Sequence, residues 1–141
     1  MVFFYSHPAI HPVQVLKKYP VDSQGCEVHR QALKTMNATD RQIVERLKRI
    51  LEQRVRLHQI ILFGSRARGD HDAESDMDVL VILDSLITPE IRDAVSECTW
   101  QVGFDAGIII AAVLFSREEW EEGPEYYSPL AEAVRADGVA I

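Results

Sequence analysis

From Ile108 to Phe115 the chain reads Ile-Ile-Ile-Ala-Ala-Val-Leu-Phe, with no polar side chain in the run. A strand with one wet face alternates apolar and polar residues, so an unbroken run of this length predicts a strand covered on both faces, with further layers above and below it. Two shorter runs suit the same sheet: Ile60-Ile61-Leu62-Phe63, ended by Gly64-Ser65, and Val79-Leu80-Val81-Ile82-Leu83. Helical signals fill the intervals. Thr39 and Gln42 stand at capping-box spacing before a face of Ile43, Leu47, Ile50 and Leu51. Thr88-Pro89 reads as the N-cap and first residue of a helix running to about Gln101. Ser116 and Glu119 form a further capping box, and Ser128-Pro129 opens a last helix that ends at Gly138. The pattern predicts an α/β (α+β) domain with a small mixed β-sheet and flanking helices.

A chain of 141 residues, 47% of them hydrophobic, has material for one core and no second full domain. The signals place that domain at residues 38–141. Residues 1–37 read as a poorly defined N-terminal extension, because Pro8, Pro12 and Pro20 break any long helix and no periodicity appears before Gln31. Met36 is a second candidate start beside Met1. His7 and His11 lie four apart, but the neighbouring prolines oppose the helix that would align them as a metal pair.

The net charge of −7 divides unevenly: residues 1–69 carry 12 Lys/Arg against 5 Asp/Glu, and residues 70–141 carry 3 against 17. An acidic half with no basic tract interleaved with aromatics argues against nonspecific nucleic-acid binding and for a nucleotide or protein partner. Cys26 and Cys98 form no CxxC pair, and the early apolar stretch Val2 to Tyr5 is too short for a secretory core or a membrane span. The expectation is a cytoplasmic protein with reduced thiols and no membrane association.

Asp76 and Asp78 head the second strand one residue apart, so period-two alternation sets both carboxylates on one face, about 6–7 Å apart along the backbone. Mg²⁺ usually takes one or two protein carboxylates together with phosphate oxygens and keeps several waters, so this pair suffices beside a loop that holds phosphate. Gly64 and Ser65 supply that loop: the glycine leaves the backbone approachable, and the serine offers a hydroxyl and an N–H at a helix start. An EF-hand is excluded, since counting from Asp70 the sixth position is Ser75 and the twelfth Val81, where that loop requires Gly and Glu. Arg66 and Arg68 suit either phosphate contact or neutralisation of nearby carboxylates, His71 reads as a surface histidine, and Arg68-Gly69-Asp70 is a chance tripeptide.

The stretch Gly64-Ser65-Arg66-Ala67-Arg68-Gly69 through Ser75-Asp76-Met77-Asp78-Val79-Leu80-Val81 resembles the minimal nucleotidyltransferases of the DNA polymerase beta superfamily. The close match covers residues 60–83, and the order of elements is similar from about residue 39 to 141. The resemblance implies a palm-like fold, nucleoside triphosphate binding at Gly64 and Ser65, Mg²⁺ at Asp76 and Asp78, and transfer of AMP from ATP. It also implies an antitoxin role, the acceptor being a tyrosine of a HEPN-type helical toxin. Family members carry a third carboxylate on the next strand. Here residues 108–115 have none, the aligned position near Ile109 is aliphatic, and Asp105 is the nearest replacement in the catalytic set. The alternative is a catalytically impaired binding module of the same fold that neutralises a toxin by masking it. A small-molecule-modifying enzyme ranks lower, because such enzymes ordinarily use a second domain for the acceptor.

The prolines and the late onset of capping signals predict that residues 1–35 are dispensable for folding. A chain starting at Met36 should melt with the same cooperativity as the full chain; a large loss of cooperativity would show that the leader packs into the core.

Overall fold

The computed structural model describes residues 36–141. Residues 1–35, with the His7/His11 pair and Cys26, lie outside the described residues, while Met36 and Asn37, the end of the expected extension, belong to the folded part: Met36 is buried in the core and Asn37 caps the first helix. Helix α1 (Ala38–Arg54) precedes strand β1 (Leu57–Phe63), the one-turn helix α2 (Ser65–Arg68) and strand β2 (Met77–Leu83). Helix α3 (Pro89–Ala106), strand β3 (Ile110–Ser116) and helix α4 (Arg117–Glu122) follow, then a 3-10 turn (Pro124–Tyr127), helix α5 (Pro129–Asp137) and strand β4 (Val139–Ala140). The strands form a mixed sheet in the order β3-β2-β1-β4, with β2 and β3 parallel and the other pairs antiparallel. This mixed sheet with helices on both faces is the expected α/β class.

Alternation along β1 and β2 assigns the two faces. Ile60, Leu62, Val79, Val81 and Leu83 pack with Val44, Leu47 and Leu51 of α1 and Val95, Cys98 and Val102 of α3. Ile61, Phe63, Leu80 and Ile82 pack on the other face with Trp120 of α4 and Ala131 and Val134 of α5. Each fully buried aliphatic side chain contributes about 1.5–3 kcal/mol. The Ser116/Glu119 capping box is present in both directions, and the Thr88 and Ser128 caps form as the sequence predicts. At α1 the cap is Asn37, whose side chain accepts from the Thr39 N–H at 2.8 Å, so Thr39 lies inside the helix. Asn is at least as good a cap as Thr and comes first in the chain. Among the described residues, no helix is long and apolar enough to cross a membrane.

Two sequence expectations are corrected. Helix α3 continues to Ala106 and closes at Gly107, whose φ of 69° suits a left-handed cap. Gly103, a poor helix former, is tolerated there because the returning chain presses on it: an added Cβ would lie 2.6 Å from the Ile108 carbonyl oxygen. Asp105 is therefore a helical residue. Its carboxylate binds Arg46 of α1, tying it into the helical layer rather than into the extended chain before β3. The run 108–115 is also not covered as expected. β3 is an edge strand in which six of seven residues are only half-buried, and Ile109 is 67% exposed.

Candidate active site

Strand register brings the separated motifs together. Phe63, the last residue of β1, pairs with Asp78 of β2, so the turn at Gly64 begins beside the Asp78 carboxylate. Gly64 has φ 76°, in the region where only glycine is unstrained, and a Cβ on it would stand 2.9 Å from Asp78 Oδ2. Positive φ and close approach both require glycine here. Ser65 starts α2, where the first N–H groups of any helix lack intrahelical acceptors and point outward.

Asp78 shares the face of Leu80 and Ile82, which α4 and α5 cover, but it is itself only half-buried because that layer stops short of the strand end. Asp76 precedes the strand and is exposed. Burial lifts the Asp78 carboxyl above the usual carboxylate range, and the Asp76 charge pushes it further the same way. Among the described residues no cationic side chain pairs with either carboxylate, so the two hold their negative charge beside the Gly64 turn. Two hard oxygen donors in that state, with a cradle a methyl group would fill, fit a divalent cation whose remaining ligands are water and phosphate. Among the described residues, no group of three or more His, Cys, Asp or Glu forms a fuller cage.

Arg66, left open between phosphate and carboxylate contacts in the sequence, is buried with 4% exposure. Its guanidinium binds Asp40 of α1 and donates to the carbonyls of Ser75 at 2.9 Å and Ala73 at 3.2 Å. The loop ending at Asp76 is thereby fastened to α1. His71 is not on the surface: its side chain is 11% exposed, with Nε2 3.2 Å from Asp40 Oδ2. Asp40 is the residue that sequence reasoning missed, since an aspartate in a first helical turn reads as an ordinary dipole partner. Arg68 is exposed and pairs with Asp70 and with Asp137 of α5.

Parallel register places Ala111 beside Asp78, and Ile109 follows one step beyond the Met77 to Ile110 pair, next to Asp76. Neither bears a carboxylate. Asp105, bound to Arg46, belongs to the α1/α3 layer on the sheet face opposite to that of Asp78.

The chain belongs to the nucleotidyltransferase domain family, whose model matches residues 44–129. Two proteins of Methanocaldococcus jannaschii bearing the name "putative protein adenylyltransferase" are similar to it. One is 32% identical over 62 residues, covering 44% of this chain and 63% of the relative. The other is 38% identical over 65 residues, covering 46% of this chain and 60% of the relative. A third so named from the same organism is 38% identical over 53 residues, with 38% and 53% covered. The matches thus span between half and two thirds of these relatives.

Two predictions follow from the geometry. Removing one partner of a buried ion pair costs about 3–5 kcal/mol, so Arg66→Met and Asp40→Asn should each destabilise strongly in denaturant titration, and the double variant should lose less than the sum. Asp78, with its carboxyl raised in the folded state, contributes stability that is full below the ordinary carboxylate pKa and is lost as pH rises through the folded value. Asp78→Asn should therefore melt higher than the wild type at neutral pH, with the difference shrinking on acidification. An unchanged melting difference across that window would contradict a carboxyl raised by burial and by the Asp76 charge.

Proposed function

We propose that the protein is a metal-dependent nucleotidyltransferase that moves AMP from ATP onto a hydroxyl of a protein. The acceptor in this reading is a tyrosine of a HEPN-type helical toxin, which makes the chain the antitoxin. The observation that carries the proposal is the close approach of the Gly64 backbone to Asp78, which sets the turn and the start of α2 directly beside the carboxylate pair. The names of the archaeal relatives support protein as the acceptor class. The HEPN partner rests on the motif resemblance.

In this reading the Gly64-Ser65 backbone and the Ser65 hydroxyl orient the triphosphate, and Arg66 keeps the Asp76 loop at a fixed distance from the turn. Asp76 and Asp78 would hold Mg²⁺, which when bound supplies positive charge to the phosphate oxygens. The acceptor oxygen forms a bond to the α-phosphorus as the bridging oxygen to the β-phosphate leaves with pyrophosphate, and the hydroxyl proton passes to a carboxylate or water. Positioning and fixed N–H donors carry most of the acceleration.

One observation favours the second reading, a masking module: β3 sets Ala111 and Ile109 beside the acid pair, and Asp105 is turned away. Transfer of label from α-labelled ATP to a co-purified partner separates the two. The enzyme reading expects transfer that falls by about 10²-fold or more in Asp76→Ala or Asp78→Ala and is unchanged in Asp105→Asn. Wild-type protein that binds its partner but transfers nothing would establish masking.

A further inference from the structure

We propose that the free edge of β3 is the seam of a two-fold homodimer in which two copies of this chain join their sheets antiparallel. Among the described residues, β3 ends the sheet on its side, with β2 as its neighbour. The Ile109 carbonyl accepts from the Met77 N–H at 2.8 Å, so the odd-numbered residues turn their backbone groups toward β2. Ile110, Ala112 and Leu114 accordingly turn theirs outward. Natural edges are guarded by charge, proline, bulges or shortness. This one has none of these: no charged residue or proline lies between Asp105 and Arg117, and its pairing with β2 runs without a register shift.

A second copy fits this edge because the strand is complementary to itself. A two-fold axis through Ala112 sets Ala112 against its own copy and Ile110 against Leu114 of the second molecule. Each such pair exchanges two hydrogen bonds, about six in all, using every outward-facing group of the three residues. The same register lays Phe115 of one molecule over Ile109 of the other, covering a side chain that is 67% exposed in the single chain. An uncharged strand meets no like charge in its own copy. Such an interface is isologous and consumes both free edges. Ile109 and Phe115 lie on the Asp78 face, so the second copy also adds an apolar wall near the acid pair.

Sedimentation equilibrium of the full chain from low to high micromolar concentration tests the proposal, with a mass approaching twice 16.0 kDa expected. Ile109→Lys changes an exposed side chain and should weaken association about tenfold or more without altering the melt. Ala112→Pro removes an outward N–H, spares the ladder to β2 and should yield a monomer. In a Cys26→Ser background, Ala112→Cys should oxidise to a covalent dimer, because facing Cα atoms in a hydrogen-bonded antiparallel pair lie about 5.5 Å apart, within disulfide range. If Ala112→Pro fails to fold, the other two variants decide. A chain that stays at 16.0 kDa throughout overturns the proposal, including one whose β3 amides are protected from hydrogen exchange by another segment. So does a dimer indifferent to Ile109→Lys that forms no Ala112→Cys cross-link.

Discussion

The antiparallel register of β1 and β2 is the constraint on which everything else rests. Pairing Phe63 with Asp78 fixes, in one step, which residues enter each core layer and which motif meets the acid pair. A slip of one residue would turn Val79 and Val81 from the α1/α3 core to the opposite face and swing the Asp78 carboxylate under α1. The buried aliphatic residues on both sides of the two strands make that slip prohibitive, so the hydrophobic pattern of the sheet centre sets the geometry of a polar site at its end.

Arg66 extends that order to a segment with no regular structure. The loop between α2 and β2 has little apolar material, and its carbonyls at Ala73 and Ser75 find their donors on one guanidinium. The charge of that guanidinium is met by Asp40, itself 2% exposed. A buried ion pair is a poor source of net stability against an apolar substitute, but it is directional. Here direction serves the placement of Asp76, and a greasy side chain would fill the space without holding the loop.

Much of this was legible in the sequence because its signals are local. Caps at Thr88, Ser116 and Ser128 depend only on residues three apart. What escaped depends on distant contacts. Gly103 stays helical because Ile108 returns across it, which carries Asp105 into the helix and toward Arg46. The burial of Asp40, and with it the role of Arg66 in fastening the loop and the withdrawal of His71 from the surface, requires α1 to lie over the loop. The unbroken apolar run of β3 gave the right element and the wrong position in the sheet, because the same composition serves a central strand and an edge awaiting cover. The two-residue strand β4 is too short for periodicity to reveal.

That brevity of β4 has a consequence for how far the sheet can grow. On the β1 side the sheet stops at Val139 and Ala140, whose pairing with Leu62 and Ile61 leaves too little ladder for another strand to add to. Among the described residues, only the β3 side has a long row of outward-facing groups. A sheet extensible at one margin and blunt at the other can gain a single neighbour and then has nowhere further to propagate. The shortest element of the fold thus sets a limit that separates a finite assembly from a fibre.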